Sequence, residues 1–482
     1  EPDWGQPVRH PRSVENPAYE QNVDDYHSLS VGDVDAGFAA ADHVLEAEYR
    51  SPRVDHCNLD SHCVVAEWEG DTLVCTETIG NTTNTEQTLG RFLGEAYDVR
   101  VESAPHSGSS FGGRSLATLT LEPVAATLAR ETGRPVKLWF DREDDFTAGD
   151  ARHPATVRVA AGATDDGDLT TLAIDVVADT GAYPNGVGHI VLSQARDRPI
   201  ELYGVDNYRF EGVSAFTNNP PAGEYRGIGI AQVAWALESG LDELARQAGF
   251  DPVAFRRANW VESGDDLPHT DVPVGSCGLE ECLERGREAF ASLRADAGAA
   301  RASDAGAARA SDARAARASD ARAARASDAG AARNDATTGD STVVYGRGVA
   351  AGVNATTPAG PGHGDYSEAR VVLDPGGRLE VRSPDVELGQ GSETVLAQMA
   401  AEETGLPLDR IDVVDAAPDD GVEDRYGSIG NRTTYLTGRA VVDATGRLLA
   451  RLRERVVETG ALDAPADRLS VADGALRGPD GE

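Results

Sequence analysis

The chain has 482 residues, with 81 acidic against 44 basic side chains, a formal net charge of −37 and a single lysine, Lys137. Such a surface repels nucleic acid and anionic membrane, because non-specific attraction to phosphate needs a basic footprint. The acid is spread over the whole chain rather than gathered in a tail, which reads as a halophilic composition, with self-repulsion relieved by salt screening.

No apolar run is long enough to cross a bilayer and no signal segment opens the chain. The five cysteines Cys57, Cys63, Cys75, Cys277 and Cys282 form neither a disulfide framework nor a cluster-binding spacing, so a reducing cytoplasm is the expected compartment. The chain opens with Glu-Pro-Asp and its one methionine is Met399. It is therefore read as a fragment, and a targeting signal upstream stays open.

In chain order, residues 35–42 read as a short helix. Residues 64–78 read as a hairpin turning at Gly70-Asp71, since VVAEWE and TLVCTET alternate. VRVES is a strand, and 121–131 an amphipathic helix closed by Gly133 and feeding the strand 136–140. A second hairpin turns at 165–167. The segment 231–248 is a helix, with Val233, Leu237, Leu241 and Leu244 on one stripe and Gly249 ending it.

From 294 to 333 the unit ASDAGAAR or ASDARAAR repeats every eight residues. It has no large apolar side chain to bury, so it is expected to be a linker, disordered or helical. Beyond it come a hairpin turning at 375–377, helices over 393–403 and 437–457, and a closing hairpin from about 468. The expected fold class is α+β. The expected domains are 1–292, a 293–342 linker, and 343–482 as the start of an incomplete second domain.

Three glycine-rich segments carry chemistry. SGSSFGGRS (107–115) lets backbone N–H groups approach an anionic or oxo ligand without a Cβ in the way. ELGQGSET (387–394) puts Gly-Gln-Gly before a helix with Ser392 as its cap, an N-terminus suited to a phosphate. EYRGIG (224–229) sets an arginine among glycines ahead of the 231–248 helix. Each alone is an ordinary tight turn.

Together and in this order they resemble the molybdopterin-binding large subunit of the xanthine dehydrogenase/aldehyde oxidase family. SSFGGR is similar to that family's first glycine loop, YRGIGIAQVAWALESGLDELARQAGF to its arginine-glycine helix, ELGQGSET to its Gly-Gln-Gly loop, and GNRTTYLTGRAVVDA (430–444) to a further stretch at the cofactor. The likeness spans 30–290 and 343–482. It implies two molybdenum-cofactor-binding domains of mixed sheets and helices, the second truncated.

The resemblance implies a molybdenum–molybdopterin cofactor, the cytosine dinucleotide form being one it allows, and oxidation of an aldehyde or N-heterocycle with water as oxygen source. Phe111, Gly112 and Gly113 would line the metal centre. Arg226 would stabilise charge developing on the substrate. Gly389, Gln390 and Gly391 would hold the pterin or its phosphates, and Gly430, Asn431, Arg432 and Thr433 would add backbone and hydroxyl contacts. Electrons would leave through an iron–sulfur subunit and an FAD subunit, because this chain has no cluster cysteines and no dinucleotide fingerprint.

The chain also departs from that pattern. The family's general-base glutamate, in a Gly-x-Gly-Glu segment, is not in the chain. Ser115 stands where purine-oxidising members carry a glutamate, and Ile79 or Gly80 where a metal-side glutamine is common. Gly227 replaces the copper-bearing cysteine of carbon monoxide dehydrogenases. These departures feed an alternative, a degenerate or truncated non-catalytic paralogue acting as a binding or assembly subunit. A rival metal reading takes His56, Cys57, His62 and Cys63 as a zinc set, although four ligands in eight residues strain tetrahedral geometry.

Overall fold

The structure is a computed structural model, and it describes residues 22–78, 82–94, 96–104, 107–113, 120–183, 187–270, 272–286, 288, 349–353, 364–416, 420–472 and 474–479. The described residues fall into two compact units, one within 1–250 together with 351–482 and the other within 251–350. Ser115, Ile79, Gly80 and the eight-residue repeat lie outside the described residues.

In the larger unit, a five-stranded sheet runs β1 (Val23–Val31), β9 (Tyr208–Phe216), β8 (Leu169–Gly181), β7 (Ala155–Ala163) and β2 (His43–Ser51). β7 and β8 are the expected hairpin, paired antiparallel from Ala155↔Ala178 to Ala163↔Leu169. β9 lies parallel to β8, reached through the helix α5 (Gly188–Leu202). The helix α6 (Ile230–Ala248) presents buried Val233, Leu237, Leu241 and Leu244. It packs on β2 and β7 while α5 packs on β1 and β9. Gly249 closes α6 at φ 82°, the left-handed conformation that favours glycine.

A four-stranded sheet runs β5 (Asp98–Ser103), β4 (Thr72–Glu77), β3 (Cys63–Glu69) and β6 (Val136–Trp139). The β3–β4 hairpin is as expected, whereas β5 joins β4 in parallel through α2 (Thr82–Leu93). The helix α3 (Glu122–Thr132) covers β3 and β6. Val64, Ala66, Leu73, Leu89, Ala125 and Ala126, all 0% exposed, form the core beneath it. Two short helices complete this part, α1 (Val34–Ala39) and α4 (Arg142–Ala148). α1 ends three residues earlier than expected, because the chain must extend at His43 to pair with Ala163.

After residue 351, β10 (Arg370–Leu373) and β11 (Leu379–Ser383) form the expected hairpin. β12 (Ile411–Asp415) joins β11 in parallel after α8 (Ser392–Thr404). The helix α9 (Gly438–Glu458) packs on α8 and β10. The closing hairpin is β13 (Ser470–Ala472) with β14 (Ala475–Arg477). The smaller unit carries α7 (Pro252–Asn259), whose Asp251 cap accepts from the Val253 and Ala254 N–H groups. Among the described residues no helix is long and apolar enough to cross a membrane.

The mixed strands and helices agree with the α+β expectation. Three parallel crossovers, β4–α2–β5, β8–α5–β9 and β11–α8–β12, were not foreseen. A hairpin announces itself through a local turn, whereas a crossover pairs strands separated by a helix and leaves no such mark.

Candidate functional site

Three of the expected segments meet where the connectors after β2, β5 and β9 converge. The Arg226 N–H donates to the Phe111 carbonyl oxygen at 2.7 Å. Phe111 holds φ at 53° and is 44% exposed, so the loop tip faces outward. A Cβ on Gly112, at φ 111°, would stand 2.9 Å from the Glu224 carbonyl carbon and oxygen and 3.0 Å from Tyr225 Cα. A Cβ on Gly113 would stand 2.7 Å from His56 Nδ1. Glycine at 112 lets two backbones touch, and glycine at 113 makes room for the His56 ring.

His56 ties the third segment in. Its Nε2 lies 2.6 Å from the Glu224 carbonyl oxygen, and its ring stacks on Tyr225 with centroids 4.5 Å apart. Burial pushes its pKa below the usual histidine range, against the opposing pull of the Glu224 carbonyl and Asp55. The Arg152 guanidinium lies 4.1 Å from the Tyr225 ring centroid. It donates to the Arg226 carbonyl at 2.7 Å and to the Gly227 carbonyl and Gln232 Oε1 at 3.4 Å. Arg152 thus fixes the arginine-glycine segment through its carbonyls. Nothing in the sequence points to it, 74 residues away.

The Arg226 side chain is exposed, and among the described residues no carboxylate pairs with it. In an acidic chain, this is an available positive charge beside the loop. Glu224 is the opposite case. Its Oε2 is sealed from solvent without a hydrogen-bond partner, and burial pushes its pKa up to about 7. His153, next to Arg152 and buried, is pushed down to about 4 by burial and stays neutral.

The two expected segments of the second region also meet. The Val386 N–H donates to Ser428 Oγ at 2.7 Å, and Thr433 Oγ1 donates to Asp385 Oδ1 at 2.8 Å. Gly389 and Gly391 adopt φ of 91° and 81°, and a Cβ on either would meet nothing within 4 Å. The faces of both glycines are therefore open to a ligand.

Three details differ from expectation here. Gly391, not Ser392, caps α8, and Ser392 is the first helical residue. The N-terminus of α8 is already served by Glu387, whose Oε1 accepts from the Gly389 and Gly391 N–H groups at 2.7 and 2.9 Å. Its Oε2 accepts from the Glu393 N–H at 3.2 Å. Burial raises the Glu387 pKa, but these N–H groups more than offset it and hold the carboxylate below its usual range. The Gln390 amide is spent on the loop itself, accepting from the Leu388 N–H and donating to the Val386 carbonyl.

Arg432 is also spent: the contacts expected of its stretch are backbone and hydroxyl ones, and its guanidinium is taken up by the turn itself. The residue is 0% exposed. It donates to both Asp424 oxygens at 2.7 and 2.8 Å, to both Asp365 oxygens at 2.7 and 3.1 Å, and to the Gly427 and Tyr366 carbonyls at 2.8 Å. A guanidinium has five N–H donors, so none is left for a ligand. Gly430 and Asn431, both at φ 58°, and the Thr433 hydroxyl remain in the adjoining turn.

The zinc reading of 55–63 does not assemble. His56 goes to Glu224 and Tyr225, while His62 Nε2 lies 2.7 Å from Glu122 Oε1. Cys57 is exposed, and all five cysteines are free thiols.

Residues 15–260 match the family model described as a molybdopterin cofactor-binding domain, and 315–481 match a second model of the same description. The chain belongs to this molybdopterin cofactor-binding family, in its xanthine dehydrogenase and aldehyde oxidase branch. It is 30% identical over 441 residues to a xanthine dehydrogenase molybdenum-binding subunit of Escherichia coli, covering 90% of this chain and 52% of that protein. To the nicotinate dehydrogenase large molybdopterin subunit of Eubacterium barkeri it is 32% identical over 271 residues, covering 55% of this chain and 62% of that one. The crystal structure of quinoline 2-oxidoreductase from Pseudomonas putida shares the fold, with a TM-score of 0.71 at 22% identity over 98% of this chain and 57% of that one. The chain spans about half the length of the Escherichia coli subunit it matches.

The residues present fit the family's cofactor. The first cradle offers close-packed glycine backbone beside a guanidinium that no carboxylate among the described residues pairs with, and the second offers two glycine faces with open space before them.

Proposed function

We propose that this chain is the cofactor-holding part of a molybdenum hydroxylase that oxidises an aldehyde or an N-heterocycle. When bound, the molybdenum–molybdopterin group supplies two-electron oxidation of a substrate carbon with oxygen drawn from water. Phe111, Gly112 and Gly113 hold it through backbone, and Gly389, Gly391, Gly430, Asn431 and Thr433 contact the pterin side, with Gln390 and Arg432 keeping those turns in shape. Arg226 places a permanent positive charge over the substrate and stabilises negative charge developing there.

The packing of the Phe111–Gly113 loop against Glu224–Arg226 carries this reading, since it sets the arginine beside the cofactor loop. A pterin with a cytosine dinucleotide tail, partner subunits bearing iron–sulfur centres and FAD, and a cytoplasmic location complete the proposal. So does the division into 1–292, a 293–342 linker and 343–482. The test is to purify the protein with whatever subunits accompany it, measure molybdenum, and follow dye reduction with a panel of aldehydes and N-heterocycles. Stoichiometric molybdenum with turnover of one of these classes is expected. Folded protein free of molybdenum and without turnover would favour the non-catalytic paralogue.

A further inference from the structure

A second cluster lies at the end of the β5–β4–β3–β6 sheet, outside the cradle. His62 immediately precedes β3, Glu77 ends β4 and Glu122 opens α3. One ligand atom from each lies within 4.8 Å of the others. Glu77 is 1% exposed and Glu122 0%. The carboxylate oxygens of both are sealed from solvent, with only each other, the Thr85 hydroxyl and His62 as polar side-chain neighbours among the described residues. Among the described residues His62 is the only basic side chain paired with either glutamate, its Nε2 lying 2.7 Å from Glu122 Oε1.

Two carboxylates side by side against an apolar core are costly unless a cation or a proton joins them. Burial, and then the neighbouring Glu122 charge, push Glu77 well above its usual range. Burial pushes Glu122 up too, but His62 more than offsets this and holds it low. The nearby Cys75 thiol is pushed up by burial and by both carboxylates.

We propose that His62, Glu77 and Glu122 form a site for a divalent transition-metal ion of the zinc class. One nitrogen and two oxygens are the donor set of such an ion, and no thiolate belongs to the group. Tetrahedral donors at ordinary zinc distances stand about 3.4 Å apart, so side-chain shifts of about an ångström close the set. His62 is the least buried of the three and also lines a small cleft with Asp55, His56, Asn58, Gly113 and Thr120, so an ion would enter past its ring, with water as the fourth ligand. The bound ion staples the end of β4 to the start of α3. The Phe111 loop lies between these two anchors in the sequence.

The experiment uses the full chain, stripped with chelator and titrated with Zn2+ in high salt to mask the acidic surface. Calorimetry is expected to show one tight equivalent with a rise in Tm. Co2+ in its place is expected to give the visible bands of nitrogen–oxygen ligation without a thiolate charge-transfer band. Glu77→Gln removes a ligand and also the like-charge contact. Its metal-free Tm is expected to equal or exceed wild type, while Zn2+ binding weakens at least about tenfold. Absence of a saturable equivalent in the wild-type chain, or undiminished affinity in folded Glu77→Gln, overturns the proposal. Should Glu77→Gln fail to fold, the stoichiometry and Co2+ spectrum of the wild-type chain decide alone.

Discussion

The backbone N–H of Arg226 and the carbonyl oxygen of Phe111, 115 residues apart in the chain, stand 2.7 Å from each other. This bond sets Arg226, which no carboxylate among the described residues pairs with, beside the glycine loop. It engages the backbone of Arg226 and leaves the side chain exposed.

Replacing Arg226 by alanine therefore keeps the bond and removes the charge. In the molybdenum-loaded complex, turnover is expected to fall about 100-fold or more, the scale for losing a group that stabilises developing charge. Molybdenum content should stay near wild type. Metal analysis alongside steady-state rates separates the two, and loss of molybdenum would make Arg226 structural instead.

Gly112→Val should do the reverse. Its Cβ would press to 2.9 Å on the Glu224 carbonyl, from a φ of 111° that a β-branched residue avoids. The backbones must part, so molybdenum content is expected to drop while far-UV circular dichroism stays unchanged. Full occupancy would remove Gly112 from the cradle.

Glu224 gives a pH dependence. Burial raises its folded-state pKa to about 7 from an ordinary value near 4.5. The folded state thus holds the proton more tightly than the unfolded state does. The stabilisation is complete below the ordinary value and is lost as pH climbs through about 7. Glu224→Gln keeps the shape without titrating. The wild-type minus variant stability is expected to fall by about 1–3 kcal/mol between pH 5 and pH 8, after allowing for the part of the side chain that water reaches. A flat difference by chemical denaturation would mean that Glu224 is hydrated.

Arg432 is tested through stability. Arg432→Leu would leave Asp365 and Asp424 buried without their counter-charge, at a cost of about 3–5 kcal/mol. Denaturant midpoints should shift accordingly. A near-neutral effect would mean that the turn at 427–433 is held by other contacts.

Local chemistry was legible in the sequence wherever a short stretch fixes its own shape. The hairpins β3–β4, β7–β8 and β10–β11 follow from alternation and turn residues. The α6 helix follows from Val233, Leu237, Leu241 and Leu244, and its end from Gly249. The glycine segments around Phe111, Arg226 and Gln390 declared themselves by composition, and their order along the chain pointed to one family.

What only the tertiary structure decided is which of these side chains remain available. The sequence places both Arg226 and Arg432 in turns beside glycine and says nothing of their counter-charges. The fold surrounds Arg432 with Asp365 and Asp424 and, among the described residues, sets no carboxylate against Arg226. Likewise Glu387, read as part of a loop inviting an anion, is itself the anion at the head of α8. Arg152, His56 and the His62–Glu77–Glu122 cluster draw their meaning from neighbours many residues away. Charge pairing and burial act through space, and no spacing along the chain encodes them.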